Sequence, residues 1–267
     1  MSKRRSEPTS NTYRFFVAPE AIQGDTVHVA DAALAKQLST VLRLRVGDAI
    51  TLLDNSGAEY TVTLDVLDRR DVRGTVTTKT IAHTEPRLFL ALYVALIRRE
   101  RFEWVLQKGT ELGVSAFVPV VCERSVVDDI AQVKERKFDR WERIVREAAE
   151  QSRRTKLPTL EPAMLFAAAC EHAARQAHAV LLHPESTQGD GAASLTTIML
   201  PLFNRVTTDG QVVAVLSGPE GGFSPDEVRT AQRYGVPSAA LGPRTLRAET
   251  APIAATAALL FAYGDLG

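Results

Sequence analysis

The spacing of hydrophobic residues changes character once along the chain, near residue 84. From Tyr13 to about Ala82, short runs rich in Val and Thr alternate with polar positions, as half-buried β-strands do. These runs are residues 13–18, 26–30, 48–54, 59–67 and 72–81. The segment 31–44 instead repeats Leu and Val at helical spacing after Asp31, a residue able to cap a helix. Five strands and one helix predict a small β-barrel domain over residues 13–84.

Beyond this point, long apolar runs alternate with amphipathic segments. Buried strands are predicted at residues 88–97, 116–121, 179–183, 212–217 and 239–242. Helices are predicted between them, at residues 100–112, 134–154, 165–176, 225–234 and 250–263. This order is typical of an α/β domain with a largely parallel sheet, here over residues 85–267. The polar residues 1–12 are expected to form a disordered tail.

Composition excludes several classes of protein. Of 267 residues, 45% are hydrophobic and 24% charged, which is too apolar for a disordered chain, and two cysteines are too few for a disulfide scaffold. The apolar runs are shorter than the ~20 residues of a membrane span, so no membrane partner is expected. The basic start of the chain has no apolar stretch after it. We therefore expect no secretory signal and a cytoplasmic location.

Charge balances overall but not locally. The chain has 32 basic and 32 acidic residues, which argues against a protein that coats nucleic acid by bulk attraction. Residues 87–156 nevertheless carry 15 basic against 11 acidic side chains, and the basic residues are mostly arginine, which binds phosphate bidentately. Some of these cations follow helices, where the helix dipole is the alternative explanation. The candidate RNA-binding residues are Arg14, Arg43, Arg45, Arg98, Arg99, Arg153 and Arg154.

Two loops hold the candidate chemistry. The stretch SGPEGGFS (217–224) follows an apolar strand, and its glycines allow the backbone to approach a ligand closely. Ser224 and Glu227 then have the spacing of a capping box. The second loop, residues 241–250, places two arginines and a glutamate before an almost wholly apolar helix, which must be buried in the core or against another subunit. The alternatives are a tight turn without a ligand and an ordinary surface ion pair.

Other kinds of site are poorly supported. The glycine loop matches neither the P-loop pattern nor the GxGxxG of dinucleotide-binding domains. No GxSxG elbow supports a serine hydrolase, and no cysteine or histidine spacing predicts a metal site.

These two loops carry a family resemblance. The chain resembles the ribosomal RNA small subunit methyltransferase E family, knotted methyltransferases of the SPOUT superfamily that methylate N3 of a uridine in 16S ribosomal RNA. The motifs that carry the resemblance are residues 217–228, 241–259, 108–127, 150–158, 13–17 and 41–50. It implies a PUA-like RNA-binding barrel, a C-terminal trefoil knot, bound S-adenosylmethionine and a homodimer that acts on 16S rRNA or the small ribosomal subunit.

The resemblance also implies which residues serve the site. Cofactor contacts are expected from Leu182, His183, Pro184, Leu216, Ser217, Gly218, Pro219, Glu220, Gly221, Gly222, Leu241, Gly242, Pro243, Arg244 and Leu246. Our hypothesis for catalysis is that Arg247, with Glu249 and Arg154, positions and polarises the uracil base, with Arg244 and Glu220 as second choices. No metal is expected.

Two departures and two alternatives stay open at this point. Lys36-Gln37 stands where the family usually has a histidine, and Arg153 stands where it commonly has glycine. The alternatives are a knotted methyltransferase with another RNA target, such as tRNA, and a non-catalytic RNA-binding protein.

Overall fold

The structure, a computed structural model, describes residues 13–126, 135–183, 193–195, 197–199 and 212–266. The chain divides into two compact units, described separately below. The first holds the described residues up to Thr84 together with Arg153–Lys156, and the second holds the rest. The expected tail, residues 1–12, lies outside the described residues. In the part of the chain that the structure describes, no helix is both long and apolar enough to cross a membrane.

The first unit is built on a six-stranded sheet with the order β1-β4-β5-β6-β3-β2. The strands are β1 (Arg14–Phe16), β2 (Ile22–Gln23), β3 (Thr26–Val29), β4 (Ala49–Leu53), β5 (Ala58–Leu67) and β6 (Val72–Ile81). Strand β1 pairs with β4 in parallel, and the other neighbours are antiparallel. Alternate residues of β5 are buried, among them Tyr60, Val62 and Leu64. The alternation seen in the sequence therefore separates the core face of this sheet from its outer face.

A short helix packs against this core. Helix α1 (Ala32–Lys36) begins as expected, because the Asp31 carboxylate accepts hydrogen bonds from the amides of Ala33 (2.7 Å) and Leu34 (3.2 Å). A π-helical turn over Gln37–Val41 continues it. The predicted end at residue 44 is wrong: Arg43 has a φ of 56°, a left-handed conformation that ends the helix.

The second unit has the α/β fold that the sequence predicts. Its eight-stranded sheet runs β10-β8-β7-β13-β11-β14-β12, with β9 paired to β8, and its strand pairs are parallel. The strands are β7 (Phe89–Ala95), β8 (Ala116–Val121), β9 (Thr159–Leu160), β10 (Met164–Leu165), β11 (His178–Leu182), β12 (Ala193–Ser194), β13 (Val212–Ser217) and β14 (Ser238–Ala240). Every residue of β8 is buried, as expected of a strand covered on both faces.

Helices cover this sheet. They are α2 (Arg99–Leu112), α3 (Glu135–Gln151), α4 (Phe166–Gln176), α5 (Pro225–Arg233) and α6 (Thr250–Tyr263). Helix α3 ends at Gln151 and not at residue 154, so Arg153 and Arg154 lie beyond it. Two hydrophobic clusters fill the space between sheet and helices, one containing Phe102 and Trp141 and the other Phe166 and Phe223.

Candidate active site

The register of three parallel strands brings the candidate loops together. Leu182 at the end of β11 pairs with Ser217 at the end of β13 on one side and with Ala239 of β14 on the other. Parallel strands present their carboxyl ends at one edge of a sheet, where ligands of open α/β folds bind. The segments that follow these three strands therefore begin side by side.

A cavity of about 530 Å³ opens at this edge. Its volume lies within the range of small-molecule sites, roughly 300–1,000 Å³. The residues that line it are Arg101, Leu182, His183, Ser217, Gly218, Pro219, Glu220, Gly221, Gly222, Phe223, Ala239, Leu241, Gly242, Arg244, Thr245, Leu246, Arg247, Ala248 and Ala251. The cavity is thus made of both candidate loops and of the end of β11.

The glycine loop is held in shape by its own backbone and by the helix that follows. Gly222 has a φ of 69°, which favours glycine, and its N–H donates to the carbonyl of Pro219 at 2.9 Å. The expected capping box is present: the amide of Glu227 donates to Ser224 Oγ at 3.3 Å, and the amide of Ser224 donates to Glu227 Oε2 at 2.8 Å. Glu227 is buried, and its other oxygen accepts from the amide of Glu123 at 2.9 Å. A buried carboxylate therefore ties the loop to the end of β8.

The second loop presents cations to the cavity. Arg244 and Arg247 are exposed, and both line the cavity. The carbonyl of Arg247 accepts from the amides of Thr250 (2.9 Å) and Ala251 (3.0 Å), which turns the chain into α6. Glu249 lies between these residues, and its Oε2 is buried without a hydrogen-bond partner among the described residues. This part of the site thus combines two exposed guanidinium groups with a carboxylate that has one buried oxygen without a hydrogen bond.

His183 supplies a third polar group. Burial lowers the pKa of its imidazole, which favours the neutral ring at neutral pH. Its Nδ1 atom is buried and has no hydrogen-bond partner within the described ranges. The ring can therefore offer one nitrogen to a ligand in the cavity.

Comparison with known proteins decides the family. The model of an RNA methyltransferase domain matches residues 84–260. Ribosomal RNA small subunit methyltransferase E of Synechocystis sp. is 34% identical over 92% of this chain and 76% of its own length, and that of Bacillus subtilis is 31% identical over 90% of this chain and 89% of its own. The chain belongs to the ribosomal RNA small subunit methyltransferase E family.

A solved member of this family extends the similarity to the structure. Methyltransferase E from Neisseria gonorrhoeae, in a crystal structure bound to S-adenosyl methionine, superposes with a TM-score of 0.81 at 29% identity. The match covers 96% of this chain and 100% of that chain. Both units of the methyltransferase E fold are thus represented in the comparison.

Most of the residues that are expected to contact the cofactor line this one cavity. Two of them do not line it: Leu216, which is 1% exposed within β13, and Pro243, which is exposed. Pro184 lies outside the described residues. Among the proposed catalytic residues, Arg247 lines the cavity, whereas Glu249 lies next to lining residues without lining it. Arg154 is 5% exposed and groups with the first unit.

The expected RNA-binding arginines differ in their availability. Arg43, Arg45 and Arg153 of the first unit are exposed, as are Arg98 and Arg99 of the second. Arg14 is half-buried and pairs with Glu59 at 2.6 Å, so its charge is already compensated within the fold. Arg99 pairs with Glu103 at 2.9 Å on the surface of α2, a pairing that leaves most of its side chain accessible.

Sequence reasoning missed one charged residue of the site, Arg101. It belongs to the same Arg-Arg-Glu-Arg run as Arg98 and Arg99, which the sequence predicts to bind RNA. The run alone does not indicate that Arg101 faces the cavity, because this depends on how α2 packs beside the two loops. Arg101 lines the cavity from the first turn of α2.

Proposed function

We propose that this protein methylates N3 of a uridine in 16S ribosomal RNA, with S-adenosylmethionine as methyl donor. The observation that carries the proposal is the cavity at the joined ends of β11, β13 and β14. Twelve of the fifteen residues that the family resemblance expects at the cofactor line this cavity. Of the other three, Leu216 and Pro243 do not line it, and Pro184 lies outside the described residues.

 Relatives named as ribosomal RNA small subunit methyltransferases support the reaction, and the related structure from Neisseria gonorrhoeae contains S-adenosyl methionine.

The residues present fit the cofactor. S-adenosylmethionine has a nucleoside, a carboxylate, an ammonium and a sulfonium group, so its site needs close backbone approach together with charges of both signs. Both loops leave room for that approach, since a Cβ on Gly222 of the glycine loop or on Gly242 of the second loop would meet no atom within 4 Å. Arg244 and Glu220 offer opposite charges at the cavity, and the unpartnered Nδ1 of His183 offers a further polar contact.

When bound, the cofactor supplies an electrophilic methyl group on its sulfonium sulfur. Transfer to uridine forms the N3–CH₃ bond and breaks the S–CH₃ bond, the sulfur keeps the electron pair, and the N3 proton is released. The task of the protein is therefore to stabilise the uracil as its imide proton leaves. In this proposal Arg247, which lines the cavity, stabilises the base together with Glu249, and Arg244 and Glu220 are second choices. A part for Arg154 requires its buried guanidinium to become accessible.

Recognition of the RNA falls to the exposed arginines. Arg43, Arg45, Arg98, Arg99 and Arg153 would contact phosphates, and the target uridine must be unpaired or flipped out to reach the cavity. We also propose that the first unit is a PUA-like barrel and that the second contains a trefoil knot. The protein would act as a homodimer. The exposed Phe261 on α6, 71% accessible, supports the dimer, and action on the small ribosomal subunit implies a cytoplasmic location.

Methylation of purified substrates tests this function. Wild-type protein and labelled S-adenosylmethionine are incubated with small-subunit particles, naked 16S rRNA or tRNA, and the modified nucleoside is identified by mass spectrometry. We expect N3-methyluridine in 16S rRNA. Methyl groups found only in tRNA would overturn the substrate, and a protein that binds RNA but releases no heat with S-adenosylmethionine would be a non-catalytic binder.

The matched variant is Arg247→Ala. Loss of a group that stabilises developing charge lowers kcat by roughly 10²–10³-fold. An Arg247→Ala protein that methylates at the wild-type rate would show that another residue has this role.

A further inference from the structure

One guanidinium group contacts carboxylates from both loops of the cavity. Arg101 Nη1 lies 3.3 Å from Glu220 Oε1 in the glycine loop. Its Nε lies 3.7 Å from Glu249 Oε1 in the second loop. Arg101 itself is in α2, so three separate segments of the chain meet at its side chain.

A simpler role explains part of this arrangement. The amide of Arg98, just before α2, also donates to Glu220 Oε1 at 3.3 Å, so Glu220 caps the start of that helix. That cap holds Glu220 whether or not Arg101 is present. It does not reach Glu249, which pairs with Arg101 in the described part of the chain.

The state of Glu249 shows why this pairing matters. Its side chain is 16% exposed, and Oε2 has no hydrogen-bond partner among the described residues. The contact of Oε1 with Arg101 is longer than a hydrogen bond, so it is an electrostatic attraction. Removing the cation would leave a largely buried carboxylate without compensation, and the loop would move to hydrate it.

We propose that Arg101 is a positioning residue that sets the separation of the two loops and so the shape of the cofactor cavity. The inference rests on the proposed function for its consequence but not for its geometry. Guanidinium nitrogens lie in one rigid plane, so Arg101 can hold two carboxylates at a fixed spacing. A lysine ammonium is a single point of charge on a flexible chain and holds them less well.

The first test needs no cofactor. Hydrogen exchange of the ligand-free protein reports the second loop through the amides of Thr250 and Ala251, which donate to the carbonyl of Arg247. We expect faster exchange there in Arg101→Ala than in wild type. The matched control is Arg175→Ala, which removes an exposed arginine paired with Glu171 on α4, away from the cavity. Unchanged exchange in Arg101→Ala would overturn the proposal.

The second test measures S-adenosylmethionine binding by calorimetry. We expect Arg101→Ala to raise Kd on the order of tenfold, a typical coupling within one ion-pair network, and Arg101→Lys to recover part of the loss. In a Glu220→Gln/Glu249→Gln background, Arg101→Ala should change Kd by less than about twofold, because its partners are gone. An equal fold-change in both backgrounds would overturn the proposal.

Two safeguards keep these outcomes distinct. If Arg101→Ala does not fold, Arg101→Gln keeps most of the side chain and replaces it in both tests. If the wild type binds no S-adenosylmethionine, the proposed function fails, while the exchange experiment still decides whether Arg101 holds the loops.

Discussion

The guanidinium of Arg124 donates a hydrogen bond to the carbonyl oxygen of Gly221 at 2.9 Å. Its methylene groups also cover this glycine, since a Cβ on Gly221 would lie 3.3 Å from both Cβ and Cδ of Arg124. Arg124 follows β8 and does not line the cavity. Arg124 therefore stabilises the glycine loop from outside the cavity, without being part of the ligand-facing surface.

Replacing this arginine should loosen the loop without unfolding the protein. A hydrogen bond of this kind contributes about 0.5–1.5 kcal/mol, so Arg124→Ala should raise Kd for S-adenosylmethionine by roughly 2–10-fold. Calorimetry measures the change, with Arg175→Ala as the exposed control. A Kd equal to that of the wild type would mean that the loop keeps its shape without Arg124.

A second prediction concerns Gly113, which ends α2 with a φ of 115°. Its amide donates to the carbonyls of Gly109 and Thr110, and a Cβ there would lie 2.4 Å from Pro86 Cγ. Gly113→Ala should therefore cost about 1–2 kcal/mol for the backbone conformation and a further ~1–3 kcal/mol for the clash.

Gly235 provides the matched control for this change. It also has positive φ, 75°, but a Cβ there would meet nothing within 4 Å, so Gly235→Ala should show only the backbone cost. Urea unfolding followed by circular dichroism compares the two variants. Equal losses of unfolding free energy would contradict the steric explanation.

The fold was largely predictable because its signals are local. Asp31 caps α1 and the Ser224–Glu227 capping box begins α5, as their spacing indicates. The end of α1 was not predictable in this way. Arg43 adopts a left-handed conformation that its residue type does not favour, so the surrounding fold must impose it.

The sequence predicts the two loops of the site but not the residues from other elements that hold these loops in place. Glycine content and a strand end indicate where a backbone can approach a ligand, and both features are contiguous in sequence. Arg101 and Arg124 reach the loops from α2 and from the end of β8, about a hundred residues earlier in the chain. Such contacts depend on tertiary packing, so the sequence alone does not indicate them.

A third prediction concerns pH and the pair of Glu103 and Arg140. Arg140 Nε and Nη2 donate to the two oxygens of Glu103 at 2.5 and 2.8 Å, which ties α3 to α2. The hydrogen bond from Arg140 is the largest influence on this carboxyl group and lowers its pKa from 4.5. A lowered folded-state pKa stabilises the protein above pH 4.5, and this contribution is lost as pH falls through the folded-state value.

Glu103→Gln should therefore lower the urea midpoint at pH 7 and lower it by less at pH 3, because the carboxyl group is progressively protonated below pH 4.5. Glu147→Gln, at an exposed residue that pairs with Arg143 along α3, serves as the control and should have a small effect at both values. A loss of stability in Glu103→Gln that is the same at pH 3 and pH 7 would show that packing, and not the charge, is responsible.

The last prediction concerns Arg153, which has a φ of 62°. The family resemblance implies glycine at this position. A left-handed conformation costs a residue with a Cβ about 1–2 kcal/mol. Glycine avoids this cost, but its larger loss of conformational entropy on folding destabilises the folded state by roughly 0.5–1 kcal/mol relative to alanine. Arg153→Gly should therefore raise the free energy of unfolding by up to about 1.5 kcal/mol. Urea unfolding at neutral pH measures this gain.

The same substitution removes an exposed cation, and its effect on RNA is separable. If Arg153 contacts a phosphate, the variant should bind 16S rRNA more weakly. The slope of the logarithm of the binding constant against the logarithm of the salt concentration should also fall, by the amount expected for about one phosphate contact. Arg153→Asn is the matched control, because asparagine tolerates this conformation, keeps a Cβ and carries no charge. Both variants should lose the same RNA affinity, and glycine should give the larger gain in stability. If both variants bind RNA with the salt dependence of the wild type, Arg153 is not part of the RNA interface.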